Sequence, residues 1–263
     1  MGERLLALQP GVPHPPARLL AAVTVGFGGF RPAAFQFLRD LRRNNEKVWF
    51  EAHRDVYERE VREPMRRLVE ALDARLDSIA PEIVGDPKRS MFRIHRDVRF
   101  SRDKSPYKTN AAAWLYHRDA GRKVGTVGDG GGAGFYFHID PTTCFVAGGL
   151  WMPARPALLR IREAIAGQPI ALTRLTSAPA FRRRFDALSD EAKLRRVPRE
   201  FPPDHPAAEW LKLQSFTAAA SIEPSVVTSP RLVDRLCRDF EVLVPLVRWL
   251  NRALGYQPAK ARR

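Results

Sequence analysis

Cysteine is scarce in this chain: two in 263 residues, Cys144 and Cys237. They form no CxxC and join no His/Cys cluster, so neither a disulfide framework nor a structural zinc site is expected. Two isolated thiols suit a reducing compartment, and the expected location is the cytoplasm. Long apolar runs are also missing. Nothing approaches the roughly 20 residues of a membrane-spanning helix, and the mean hydropathy of −0.32 and 28% charged residues are those of a soluble globular protein. Lysine is the third scarcity, with eight among 44 basic residues. Arginine in such excess, beside frequent Ala, Gly and Pro, is what GC-rich coding produces. The net charge of +15 is therefore a weaker argument for a nucleic-acid partner than any local concentration of it.

One such concentration stands out. From Lys88 to Lys123 eleven basic residues face three acidic ones, a balance of +8 over 36 residues. A second basic stretch, Arg182 to Arg199, reads as a solvated helix and loop. No helix-turn-helix, zinc-finger or RNA-recognition pattern accompanies either. Aromatic residues are not interleaved with the basic ones as a stacking platform for single strands requires.

Residues 1–29, with Pro10, Pro13, Pro15 and Pro16, are expected outside the fold, as a disordered extension or the product of a start assigned too early. A signal peptide is a weaker reading of Leu19 to Val25; initiation near Val23 or Val25 is preferred. A single α+β domain is expected over 30–255, followed by a basic disordered tail, 256–263. Helical periodicity runs from Pro32 through Phe35, Leu38 and Leu41. It resumes after Asn45, a candidate N-cap, and continues past Pro64 to about Ile79. The middle third changes to period two. Phe92, Ile94, Val98 and Phe100 alternate with polar residues, and 108–117 is a weaker strand. Phe135–Ile139 and Cys144–Trp151 flank the turn at Asp140-Pro-Thr-Thr143 as a hairpin. Helices return at 156–166, 178–188 and 205–213, a late strand at 214–222, and a long last helix follows Ser229-Pro230. An antiparallel sheet of four or more strands packed on N- and C-terminal helices is the expected architecture.

Chemistry concentrates at Arg93-Ile-His-Arg-Asp-Val-Arg-Phe-Ser-Arg-Asp-Lys-Ser-Pro-Tyr107. As a strand, it would project Arg93, His95, Asp97 and Arg99 from one face, with two guanidinium forks able to grip a phosphate, sulfate or carboxylate. The turn after Phe100 would bring Asp103, Lys104, Tyr107 and Lys108 toward the same anion. Arg96 falls on the apolar side and reads as a structural member, a buried arginine anchored by a helix carboxylate. Asp97 and, from the hairpin face, His138 are the candidate proton-transfer residues. The glycine-rich tract Gly125–Gly134 lacks the Gly-Lys-Ser/Thr ending of a phosphate loop and reads as a loop between strands. No motif specifies a cofactor, a metal or an oligomeric state.

The same run, Arg93-x-x-Arg96-Asp97-x-Arg99-Phe100-x-x-Asp103-Lys104-x-x-Tyr107, resembles the signature of a bacterial family called domain of unknown function 2461. Asn44-Asn45 with Trp49-Phe50 and His53, Gly149-Leu-Trp-Met-Pro153 and Asp204-His-Pro206 agree with it. The resemblance spans about Phe30 to Leu254. It implies a soluble bacterial single-domain protein and carries no activity with it. From the residues themselves, three readings stand: a pocket for a small anionic ligand, with or without catalysis; a module binding RNA or DNA; and an ion-pair network with no ligand. Asp97 and Asp103 inside the basic run favour the pocket, because a phosphate-backbone surface gains nothing from embedded carboxylates.

Overall fold

Pro32 opens α1 (Pro32–Arg43), where a missing N–H costs no hydrogen bond. Ala34, Phe37, Leu38 and Leu41, at helical spacing, are its buried stripe. The structure, a computed structural model, describes residues 26–99, 101–121 and 131–259. After two short helices, α2 (Lys47–Ala52) and α3 (Arg54–Tyr57), the chain makes one π turn, Glu58–Arg62, and runs directly into α4 (Glu63–Ile79). Pro64 lies just beyond that turn. A proline lacks the N–H for a regular helical bond and crowds the carbonyl four residues back. In the widened turn the Glu63 N–H donates to the Glu58 carbonyl instead.

The sheet has five antiparallel strands in sequence order: β1 (Ile83–Val84), β2 (Ala111–His117), β3 (Gly134–Ile139), β4 (Phe145–Leu150) and β5 (Phe216–Ser221). Between β4 and β5 come α5 (Arg155–Gly167), α6 (Ala171–Thr176), α7 (Pro179–Phe185) and α8 (Ala208–Leu211); α9 (Pro224–Val227) and α10 (Leu232–Ala253) follow β5. This is a single α+β domain, as the alternation of periods predicts.

Strand alternation divides the sheet. Phe135, Phe137 and Ile139 point into the core, where Phe135 stacks on Phe240 of α10 at 4.4 Å and Phe137 on Phe30 at 6.3 Å. Gly148 lets α10 lie close: a Cβ there would stand 2.8 Å from the Leu243 side chain. Tyr136 and His138 point to the opposite face. Polar pins complete the docking of α10. The Asn251 side chain accepts from the Ala133 N–H at 2.8 Å and donates to the Ala133 carbonyl at 3.1 Å. Arg248 reaches the buried Glu82 carboxylate at 2.6 and 3.2 Å.

Two boundaries shift. Phe27, expected outside the fold, is buried against Phe30, whose N–H donates to the Val227 carbonyl at 3.0 Å. At the other end Tyr256 packs on His117 and the Gln257 carbonyl meets His117 Nε2 at 3.1 Å, so the first tail residues are tied to the sheet. Val23, Val25, Arg122, Lys123, residues 125–130 of the glycine-rich tract and tail residues 260–263 lie outside the described residues. Among the described residues no helix is long and apolar enough to cross a membrane.

Candidate functional site

The motif runs along the free edge of β2 beyond β1, but not as the strand its alternation predicts. Ser90 accepts from the Trp114 N–H and Phe92 donates to the Ala112 carbonyl; then Ile94 accepts from Lys108 and Arg96 donates to the Pro106 carbonyl. Moving from Phe92 to Ile94 consumes two residues on this side, while the partner side passes from Ala112 back to Lys108. The bend at Thr109–Asn110 takes up the excess. Among the described residues the segment forms two isolated bridges, Met91 with Ala113 and His95 with Tyr107. A register slip of this kind breaks the ladder and redirects side chains, as a bulge does.

The expected single row of Arg93, His95, Asp97 and Arg99 is thereby divided. Arg93 and His95 line a cleft of about 400 Å³ between this segment and the helical layer. Arg96, Asp97 and Lys108 line a second, more open recess with Asn110 and Tyr136. Phe92 and Ala112 border both. Arg99, Asp103 and Lys104 line neither and instead shape the turn. Lys104 Nζ donates to the Val98 carbonyl at 3.0 Å, and Arg99 chelates Asp97 through Nε at 3.0 Å and Nη2 at 2.7 Å. Asp103 accepts from the Ser105 N–H and hydroxyl and pairs with Arg96. Arg96 is thus half-exposed and held by the neighbouring turn, not buried against a helix carboxylate. Phe100 lies outside the described residues.

Tyr107, expected to reach the anion, lines neither the cleft nor the recess. It is buried and stacks on Phe50 at 4.2 Å. Asn45, expected as an N-cap, spends its side chain on Tyr107 instead, donating to its carbonyl and accepting from its N–H, both at 3.0 Å. Glu46 takes the cap position of α2.

The two candidate proton-transfer residues fare differently. Hydrogen bonds from the Arg99 side chain and backbone hold the Asp97 carboxyl down at about 2, which makes it a fixed acceptor and a poor base near neutrality. His138 stacks on Phe145 at 4.7 Å, and its Nδ1 is 3.0 Å from the Tyr136 hydroxyl. Burial pushes its imidazole below the ordinary range, against the pull of Asp140, and pushes the Tyr136 phenol up to about 12. His138 does not line the second recess; Tyr136, its hydrogen-bond partner, does.

Sequence reasoning missed the helical half of the first cleft. Phe50 from α2, Arg54 and Tyr57 from α3, Glu58, Val61 and Arg62 from the π turn, and Met65 from α4 complete it. Arg54, Glu58 and Arg62 recur every four residues, a signal visible in the sequence, and π turns are frequent at functional sites. Arg54 is paired with Glu51 at 2.6 Å and lies over the Phe50 ring; Arg62 is paired with Glu58 at 2.8 Å. Lys88 and Arg93 share the same cleft, and neither makes an ion pair among the described residues. Among the described residues no cluster of His, Cys, Asp and Glu has the form of a metal site.

Residues 33–249 match the family model described as "Conserved hypothetical protein (DUF2461)". No curated protein and no solved structure matches the chain.

Proposed function

This chain belongs to the family designated domain of unknown function 2461, and we propose that it binds a small organic anion, a phosphate or carboxylate with an apolar body, in the cleft between the π turn and the 91–95 segment. The observation that carries this reading is the pairing pattern of the cleft's cations. Arg54 and Arg62 are each paired with a nearby glutamate, Glu51 and Glu58, whereas Lys88 and Arg93 face the cleft without an ion-pair partner among the described residues. The Lys88 and Arg93 side chains are both exposed at the cleft, so a bound anion can take charge-assisted hydrogen bonds from them without breaking an ion pair among the described residues.

The remaining walls fit the apolar body. Phe50, Tyr57, Val61, Met65, Met91 and Ile94 line the same space, and mostly apolar walls with few convergent polar groups are the usual composition of small-molecule sites. A nucleic-acid surface is less well supported. Arg118, which would have to continue such a surface, turns its guanidinium to the Pro81 carbonyl at 2.7 Å and lines neither recess.

The test is calorimetric titration of the full chain with phenyl phosphate and benzoate, beside a single-stranded oligonucleotide. Saturable binding of an aryl anion that Arg93→Ala and Lys88→Ala each weaken about tenfold or more, the loss of one charge-assisted contact, is expected. Binding of the oligonucleotide alone, with a steep salt dependence, would replace the pocket with a polyanion surface.

A further inference from the structure

The polar groups lining the first cleft differ in how their hydrogen-bonding needs are met. Lys88, Arg93 and His95 are exposed, so water reaches them. On the helical wall Arg54 is paired with Glu51 and Arg62 with Glu58. Tyr57 has neither provision. It closes α3 and is 8% exposed, its ring held by Phe50 at 5.4 Å and Phe37 at 5.8 Å. Among the described residues its hydroxyl makes no hydrogen bond. Nor is that oxygen sealed in the core: among the described residues the wholly buried side-chain polar atoms without a partner are Glu60 Oε2 and Trp114 Nε1. The hydroxyl therefore keeps an opening, and the space that Tyr57 lines is the cleft. Burial, against the pull of the Arg62 guanidinium, pushes the phenol up to about 12, so near neutrality it keeps its proton and can donate.

We propose that Tyr57 is the specificity-determining residue of the cleft, its hydroxyl donating a hydrogen bond to a carbonyl or hydroxyl oxygen carried on the apolar body of the bound anion. This rests on the anion-binding reading of the cleft. It adds the ligand class: an oxo- or hydroxy-substituted organic acid in preference to its plain hydrocarbon analogue. Arg93 and Lys88 contact the anionic group and do not distinguish one apolar body from another. Tyr57 does, because a hydrocarbon that displaces water from the hydroxyl leaves a buried donor unpaired, and that cost is what lets a site reject an analogue without the matching group. Phe37 and Phe50 hold the ring, so the donor is already in place and the acceptor is read at one position along the ligand.

The experiment titrates the full chain with the ortho, meta and para isomers of acetylbenzoate and of isopropylbenzoate, pairs of nearly equal shape that differ in the acceptor oxygen. Expected is at least one position at which the acetyl compound binds about tenfold tighter than its isopropyl counterpart, the scale of a buried donor paired against one left unpaired. Tyr57→Phe, which keeps the ring among Phe37 and Phe50, should erase that preference by weakening the acetyl compound. Arg93→Ala should weaken both compounds and keep their ratio. If acetyl and isopropyl compounds bind equally at every position, the assignment of Tyr57 is wrong while the cleft stands. If Tyr57→Phe weakens both alike, Tyr57 serves only as a wall and the proposal fails. If the preference survives Tyr57→Phe, another group supplies the donor and the proposal fails as well. If no compound binds, both readings fall. The comparison within each pair is read on the unmutated chain and does not depend on how any variant folds.

Discussion

The side chain of Asn45 satisfies both backbone groups of Tyr107, donating to its carbonyl and accepting from its N–H at 3.0 Å each. Sixty-two positions separate the two residues. The contact fixes the entry to α2 against the end of the motif and sets the Tyr107 ring on Phe50, which borders the cleft. The amide carries its donor and its acceptor on two atoms of one fixed plane, which matches the paired backbone groups of Tyr107.

Asn45→Ala leaves two part-buried backbone groups unpaired. At about 1–3 kcal/mol for each buried polar group left unsatisfied, equilibrium urea unfolding should show a loss of roughly that size or somewhat more. Asn45→Asp keeps the acceptor for the Tyr107 N–H but sets a carboxylate oxygen against the carbonyl. Its stability should therefore fall below that of wild type near neutrality and recover in part as the introduced carboxyl is protonated. Equal stability of wild type and Asn45→Ala would mean that the clamp does not organise the motif.

The acid response of the motif turn follows from Asp103. Its carboxyl is held down at about 2 by the Ser105 hydroxyl and N–H and then by Arg96. A folded-state value below the unfolded one, which lies near 3.9, means that the unfolded chain takes up the proton first. The contribution is present above about pH 4 and is lost as the pH falls toward 2. Asp103→Asn should therefore differ from wild type at pH 5–7 and converge with it toward pH 2, and thermal melts across that range would read the convergence. Because Asp103 is exposed, the difference will be small and reduced by salt.

Arg248 and Glu82 join α10 to the residue preceding β1 through a carboxylate that is 1% exposed. Burial, the largest single effect, pushes the Glu82 carboxyl up, but the Arg248 hydrogen bond and charge together with backbone hydrogen bonds outweigh it and the net displacement is downward. Removing one partner of a buried pair strands the other charge, at a cost of about 3–5 kcal/mol. Arg248→Met should be destabilised on that scale in chemical denaturation. Adding Glu82→Leu should restore much of the loss, whereas additive losses would show that packing and not charge isolation sets the cost.

The lengths and types of most elements were legible in the chain. Proline at Pro32, the stripe of Phe37, Leu38 and Leu41, and the alternation of Phe135, Phe137 and Ile139 are local patterns. Each follows from 3.6-residue or two-residue periodicity meeting a single apolar core. The location of the motif was legible for the same reason, since an excess of cations over a short span is a property of sequence alone.

The arrangement of its side chains was not. Alternation over 92–100 specifies a strand only if the partner keeps step, and the partner carries two extra residues at the Thr109–Asn110 bend. Register is a relation between segments, so no periodicity within one of them reveals the slip. The meeting of Lys88 and Arg93 with Arg54 and Arg62 across a single cleft has the same origin. The sequence determined which residues carry charge and which build helix or strand. Only the packing of the π turn against the broken edge of β2 decided that Arg93 and Lys88 would share one cavity while Asp97 and Lys108 entered another.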